Sequence, residues 1–517
     1  MTHICMLAAE NDVIPGGKVG GIGDVVRDIP RALAKLGSTV TVLVPAYGAF
    51  HLLPGATPVG TCTAMFRGLA ERIELYEVFA DRDPGVQYLV VHHTLFATGG
   101  KGQVYCDDDT GQPFATDANK FALFCAASLS AIKHGMVSAP DVLHLHDWHT
   151  GLAAALIEFD PEFEFLKPVK LVFSIHNLAL QGIRPFADNT SSLQAWFPHL
   201  HYTPGVLADP RWPHCANPVA CAIRLSDIVH TVSPTYAEEV VQANDPARGF
   251  HGGEGLEADL QQASEAGKLI GIINGIDYDT ALSARMSSQS FFQATADELI
   301  KLMARVPELR SLDYLAHQRL QHLAQNERPA HVITGVGRLT DQKMALLLQP
   351  LPDKRIPLDA LLDSLRGRGV LLLLGSGDVA LEEQCRLIAT RHPHFIFLNQ
   401  YSAKLSELLF GQGDVFLMPS SFEPCGISQM LAMQQGQPCF AHAVGGLRDT
   451  IQDNKDGFLF SGDSMTTQSM QLLERFNEIL SLRETKPTAF NAIAKSASQR
   501  RFYWHDSAAR YLSELYS

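Results

Sequence analysis

Residues Met6–Gly37 read MLAAENDVIPGGKVGGIGDVVRDIPRALAKLG. An apolar run leads into a loop where Lys18 stands beside Gly20, Gly21 and Gly23, and then into apolar residues at i, i+3 and i+4. A strand that passes through a glycine turn into an amphipathic helix is the opening unit of a parallel sheet flanked by helices. Glycines at that turn have two uses. They make a tight reversal, or they let a phosphate approach backbone N–H groups where the helix begins, with Lys18 supplying charge. The spacing departs from the dinucleotide fingerprint GxGxxG, and no acidic residue closes the next strand as that fingerprint requires, which argues against nicotinamide binding. Turn and phosphate loop both stay open here.

The same alternation extends outward. HICMLAAE, STVTVLVPAY, VQYLVVHHT, DVLHLHDWH, KLVFSIHN and DIVHTVS read as strands, separated by helical patterns such as NKFALFCAASLSAIKHG. Strands apolar on both faces imply a parallel sheet. Residues 241–270 are polar and rich in Gly and Glu, and roughly 280–328 shows no clear strand. Alternation resumes with HVITGVGRLT, GVLLLLGSGD, HFIFLNQ, DVFLMPS, QPCFAHAVGG and DGFLF. The expected fold is α/β, with two Rossmann-like doubly wound domains at 1–280 and 281–495 facing across a cleft. A C-terminal helical segment, 496–517, follows and is placed against the first domain. Ligands in such folds sit beyond the carboxyl ends of the strands.

Bulk properties narrow the classes. The chain has 517 residues, 46% of them hydrophobic, and a formal net charge of −14, which argues against nucleic acid or an anionic membrane as partner. Nine cysteines lie scattered without a CxxC pair, so neither a zinc site nor a disulfide framework is suggested. MTHICMLAAE lacks the features of a signal peptide, and no apolar run is long enough to span a bilayer. A cytoplasmic location is expected.

Several strand ends carry chemistry. HLHDWHTG (His144–Gly151) holds three histidines and an aspartate. On a strand His144 and His146 share a face while the rest fall in the turn, which favours a structural or substrate-orienting role for Asp147 and His149 over a metal. In SIHNLALQG (Ser174–Gly182), His176 and Asn177 are placed to hydrogen-bond a polyhydroxylated ligand or to sit as satisfied polar groups. GVGRLTDQK puts Arg338 and Lys343 beyond an apolar strand, where two cations suit a pyrophosphate or simply face solvent. LLLLGSGD places Gly375, Gly377 and Asp378 at the next strand end. MPSSFEPCGISQM is the most specific stretch. It aims the Glu423 carboxylate and the amides of Cys425 and Gly426 at one point as a helix opens near Ile427. AVGGLRDT adds Gly445 and Gly446.

Taken together, KVGGIGDVV, HDWHTGLA, SIHNLALQG, TVSPTYAEEV, GIINGID, GRLTDQK, PSSFEPCGISQM and VGGLRDT resemble, in order, the motifs of the bacterial glycogen synthases and plant starch synthases, retaining glucosyltransferases of the GT-B fold. The resemblance implies that Lys18 contacts the nucleotide-sugar phosphates and that Arg338 and Lys343 neutralise the departing diphosphate. It implies further that His176 and Glu423 face the transferred glucose, with Asp147 on the acceptor side. His149 and Asn177 are assigned to the acceptor side as well. Gly20, Gly21, Gly375, Gly377, Cys425, Gly426, Gly445 and Gly446 are assigned to the donor. The implied reaction moves glucose from ADP-glucose to the non-reducing end of an α-1,4-glucan with retention. No cofactor and no metal are expected, because Arg338 and Lys343 supply the charge.

Departures from the family pattern bear on the donor and the acceptor. Met344, Ala345 and Leu346 replace the usual Gly-Leu-Asp, Leu431 stands near the expected nucleoside contact, and Leu180 stands where an aromatic residue is frequent. The alternatives are a retaining GT-B transferase with another donor or acceptor, such as UDP-glucose, and a catalytically silent glucan-binding homologue. Joint presence of Lys18, His176, Arg338, Lys343 and Glu423 speaks against silence.

Overall fold

The computed structural model describes residues 2–80, 82–278, 285–306 and 310–517; the expected boundary at 280 and 281 lies outside these described residues. The chain divides into two units. The first comprises Met1–Asn244, Gly252–Asp277 and Tyr503–Ser517, and the second Asp245–His251 and Tyr278–Phe502.

The first unit is built on a nine-stranded sheet. Its strands are β1 (His3–Leu7), β2 (Thr39–Pro45), β3 (Thr57–Phe66), β4 (Leu69–Val78), β5 (Val86–His92), β6 (Val142–His146) and β7 (Lys170–Ile175). A separate two-stranded ribbon pairs β8 (Arg184–Pro185) with β9 (Cys215–Ala216), and β10 (Ile228–Thr231) and β11 (Leu269–Gly271) complete the large sheet. The order is β11-β10-β7-β6-β1-β2-β5-β4-β3. Six expected strands appear as β1, β2, β5, β6, β7 and β10, all mutually parallel through the centre.

The sequence reading missed the β3–β4 hairpin. Its two strands pair antiparallel at one edge, with exposed and buried residues alternating along β3. The connecting Arg67 and Gly68 both take positive φ, 55° and 73°. A two-residue turn of that kind is ordinarily marked by Asn-Gly or Asp-Gly, and arginine hides the signal.

The second unit carries β12 (His331–Val336), β13 (Gly369–Leu374), β14 (Phe395–Leu398), β15 (Val415–Met418), β16 (Cys439–His442) and β17 (Gly457–Phe460). All pair in parallel, in the order β14-β13-β12-β15-β16-β17. Alternate side chains of β13 enter different cores. Leu371 and Leu373 pack with Leu358, Leu361 and Leu362, whereas Val370, Leu372 and Leu374 pack with Phe291, Leu299 and Leu320. Both faces of the sheet are therefore buried, as its unbroken apolar runs require. The strandless segment after the boundary supplies two covering helices, Ser288–Met303 and Ser311–Gln325. Met344 and Leu346, two of the departures, are buried in this core and not at a strand end.

Within the first unit, the helix Trp504–Arg510 packs against the helix Gly21–Lys35. Trp504 is 6% exposed, and its indole N–H donates to Asp28 Oδ2 at 3.1 Å. Gly275 permits the approach, since a Cβ there would stand 2.5 Å from Trp504 N. Residues up to Phe502 stay with the second unit, and the return begins at Tyr503. Replacing Trp504 by alanine removes this burial and leaves Asp28 without the indole. The expected loss is about 3–5 kcal/mol of first-unit stability, seen as a lowered thermal midpoint; an unchanged midpoint would contradict the assigned role of the tail.

Candidate active site

The glycine loop after β1 is organised by a carboxylate. Glu10 Oε2 accepts hydrogen bonds from the N–H groups of Val19 (2.7 Å) and Gly20 (2.5 Å), and Oε1 accepts from the Tyr105 hydroxyl at 2.7 Å. The start of the helix Gly21–Lys35 has no side-chain cap of its own, and a carboxylate beside its amides satisfies donors that the helix leaves open. Gly20 therefore gives its N–H to Glu10, where the sequence reading reserved it for a phosphate. Lys18 is ion-paired with Asp24 at 2.6 Å and lies 3.6 Å from Asp12. Gly21 is exposed as the first helical residue. No motif marked Glu10 or Tyr105. The available signal is a charged residue directly after a buried strand run, which polar packing alone does not require.

At the carboxyl ends of β6 and β7 the backbone is strained. Asp147 sits at φ 55°, ψ −174°, between β6 and the helix Trp148–Phe159. Its N–H donates to Ser174 O at 2.9 Å, and its Oδ1 accepts from the His176 N–H at 2.6 Å. Burial pushes the Asp147 carboxyl up to about 7 against the opposing pull of the His176 and Asn177 amides. His149 is buried, with Nε2 3.2 Å from the Tyr105 hydroxyl. Asn177 is half-buried, and its Oδ1 accepts from the Ala179 N–H at 2.9 Å, which shapes the loop.

His144, His146, His176 and His230 form a buried column in this unit. His146 Nδ1 lies 2.9 Å from His176 Nε2, and the His144 and His146 rings stack at 4.3 Å. His144 Nδ1 lies 2.7 Å from the Tyr516 hydroxyl, His144 Nε2 2.6 Å from Ser174 Oγ, and Ser174 Oγ 2.7 Å from His230 Nδ1. Counting donors fixes the direction of this chain. If Tyr516 donates to His144, then His144 donates to Ser174 and Ser174 to His230, and of the atoms in this run His230 Nε2 is left without a partner. The reverse direction would also orphan the phenol proton. Burial lowers every ring: His144 to about 3, His176 to about 4, and His146 and His230 well below the ordinary value.

In the second unit the expected residues gather at the carboxyl ends of β12, β13, β15 and β16. Lys343 forms an ion pair with Glu423, whose Oε2 also accepts from Ser420 Oγ at 3.0 Å. Glu423 is 7% exposed. Its charge is compensated by Lys343. Gln342, next to Lys343, donates to Phe422 O at 2.8 Å and locks the two loops together. Arg338 is exposed beyond β12 and has no carboxylate at ion-pair distance among the described residues. Gly446 donates to Glu423 O at 3.0 Å, and a Cβ on it would stand 2.4 Å from Cys425 Cα. Gly445 opens the short helix Gly445–Thr450, and Gly426 precedes the helix Ser428–Gln434. Gly375 and Gly377 pack against the Arg338 loop. A Cβ on Gly375 would meet Gly337 O at 2.2 Å, and one on Gly377 would meet Leu339 O at 2.3 Å. These two glycines hold the loop in place by close approach. Among the described residues, no group of three or more His, Cys, Asp or Glu is arranged to hold a metal ion.

The buried rings make stability depend on pH. Between about pH 4 and 6.5 the unfolded chain protonates these histidines and the folded chain does not, so stability falls as pH drops through that window. Asp147, held at about 7, binds its proton in the folded state first and offsets part of the fall. The thermal midpoint is expected to decline steadily from pH 6.5 toward 4, and a flat profile would show that the rings are not buried neutral. Tyr516→Phe leaves His144 Nδ1 unpaired and is expected to cost about 1–3 kcal/mol at neutral pH, measured by denaturant unfolding.

The profile of the starch synthase catalytic domain matches residues 3–262, and that of group 1 glycosyl transferases matches residues 330–475. Glycogen synthase from Streptococcus sanguinis is 30% identical, over 99% of both chains. Glycogen synthase from Gloeobacter violaceus is 32% identical over 88% of this chain and 87% of its own. The catalytic domain of starch synthase IV from Arabidopsis thaliana, solved bound to ADP and acarbose, superposes with a TM-score of 0.75 at 26% identity, covering 100% of this chain and 98% of that one. Sucrose-phosphate synthase from Thermosynechococcus elongatus, at 17% identity and a TM-score of 0.57, shares the fold. With two Rossmann-like units of GT-B type and whole-chain similarity to these enzymes, the chain belongs to the glycogen and starch synthase family of glycosyltransferases.

Proposed function

We propose that the protein is a glycogen synthase that transfers glucose from ADP-glucose to the non-reducing end of an α-1,4-glucan, retaining the anomeric configuration. The observation that carries this reading is the convergence of Arg338, Lys343 and Glu423 at the strand ends of the second unit. Two cations there suit a nucleoside diphosphate as it departs. Lys18, beside the glycine loop of the first unit, is assigned to the nucleotide-sugar phosphates by the family pattern. A carboxylate bonded to Lys343 and Ser420 is fixed in place to accept from sugar hydroxyls. His176, neutral at pH 7, is suited to hydrogen-bonding the transferred glucose and not to protonating it. Asp147, His149 and Asn177 are assigned to the acceptor side. The ADP in the Arabidopsis enzyme supports adenine as the base. No cofactor is required in this scheme, and a cytoplasmic setting fits a chain in which no described helix is long and apolar enough to cross a membrane.

UDP-glucose is the competing donor, and the departure nearest the expected nucleoside contact is Leu431, half-buried on the helix that follows Gly426. Incubation with either nucleotide sugar and a maltooligosaccharide primer, followed by nucleotide release and by the anomeric configuration of the new linkage, decides between them. ADP release with α-linked extension is expected. No turnover with either donor would leave the silent-homologue reading. Glu423→Ala and Lys343→Ala are each expected to lower kcat by about 10²-fold or more with the circular dichroism unchanged.

A further inference from the structure

An exposed tryptophan stands on a rigid frame beside the His176 loop. Trp212 is 47% exposed, and the Arg211 guanidinium stacks over its ring at 4.5 Å. Asp209, fully buried, accepts from the N–H groups of Arg211 (2.8 Å) and Trp212 (3.0 Å) through Oδ1. Arg211 donates to Gln181 Oε1 at 2.8 Å and to Asp209 Oδ2 at 3.2 Å. Asn217 Nδ2 donates to the same two acceptors at 2.7 and 2.8 Å. Backbone and guanidinium are therefore set by buried polar groups, while the indole they carry faces solvent. A fold does not need so much buried polar structure to present an exposed aromatic ring.

Its place in the sheet says what the ring is near. The helix Pro218–Leu225 lies in the parallel crossover from β7 to β10, so its N-cap Asn217 stands at the carboxyl edge of the sheet. His176 and Asp147 leave the strands at that edge. Gln181, held by both Arg211 and Asn217, follows Leu180 in the loop that begins at His176, and Leu180 is itself 52% exposed. Leu180 offers no aromatic face. Trp212, at the other end of the Gln181–Arg211 bridge, offers one already fixed in orientation, so little ordering entropy is lost when a ligand stacks on it.

We propose that Trp212 is a stacking platform for glucose rings of the acceptor glucan, distal to the residue being extended. This rests on the transferase reading for the identity of the glucan, and a direct binding measurement separates the two. Of the four tryptophans, Trp148, Trp196 and Trp504 are at most 6% exposed, so quenching by iodide reports Trp212. In the native protein without donor, maltoheptaose is expected to protect the fluorescence from iodide, and maltose to do so weakly. In turnover, Trp212→Leu is expected to raise KM for maltoheptaose about fivefold while KM for the nucleotide sugar and for maltose holds, with Trp212→Phe restoring most of the loss. Quenching unaffected by maltoheptaose, in a protein that still extends it, overturns the platform and leaves the transferase standing. Protection without turnover overturns the transferase and keeps the platform. An equal rise in KM for maltose and maltoheptaose would make Trp212 a structural residue and end the proposal.

Discussion

The hydrogen bond from the His176 N–H to Asp147 Oδ1, 2.6 Å long, ties together the strand ends on which the first unit's site is built. Asp147 occupies backbone space that costs a residue with a Cβ about 1–3 kcal/mol, and such a conformation persists only where its surroundings over-determine it. Here the Asp147 N–H is bonded to β7 and its carboxylate to the loop after β7. The turn so fixed launches the helix Trp148–Phe159, where a Cβ on Gly151 would stand 2.2 Å from Pro218 O. Pro218 opens the next helix, and its cap, Asn217, holds Asp209 and Gln181. A single strained residue thus sets the loop of His176 and, two contacts further on, the frame beneath Trp212.

The buried histidine column of the first unit and the Lys343–Glu423 pair of the second handle charge in opposite ways. The first keeps its buried rings neutral, since desolvation holds His144 and His176 far below the pH at which they would ionise. Neutral imidazoles donate once and accept once, which makes them good fixed hydrogen-bonding partners and poor sources of positive charge. The second unit keeps charge and pairs it, Lys343 with Glu423. An anion arriving at Lys343 competes with that carboxylate, whereas Arg338 meets it from solvent without such competition among the described residues. The division follows from placement: Arg338 and Lys343 retain exposure, and the histidines are buried.

Legibility in the sequence followed local periodicity and failed where partners are remote. β12 to β17 were legible because each is a short apolar run between polar turns, and two buried faces leave little room for polar residues. β3 and β4 were not, since one exposed face dilutes the apolar signal and Arg67 replaces the usual turn residue. Among site residues, Lys343 and Glu423 were each legible from their motifs, but their mutual bond spans 80 positions and no spacing rule reaches that far. Glu10 was illegible for the same reason: its partners Gly20 and Tyr105 lie 10 and 95 positions away. The glycines at 375 and 377, assigned to the donor by the family pattern, are also places where one loop crosses another, which only coordinates show.

The C-terminal residues show why a long separation in sequence can still be obligatory. His144 needs a donor at Nδ1, because its other nitrogen is engaged with Ser174 inside a region where water is excluded. An unpaired buried imidazole nitrogen carries a desolvation penalty that nearby residues of the sheet do not relieve. Tyr516, 372 positions later, relieves it, and Trp504 brings the tail into place by bonding Asp28 from 476 positions away. The first unit is then a body whose polar interior cannot close until the last residues of the chain are present, although the second unit lies between them in sequence. Contacts of such separation form late, because the entropy of closing the loop must be met before they can contribute. Tyr516 meets His144 edge-on, His144 stacks on His146, and His146 is hydrogen-bonded to His176, so Tyr516 and the candidate sugar-contacting histidine belong to one packed structure.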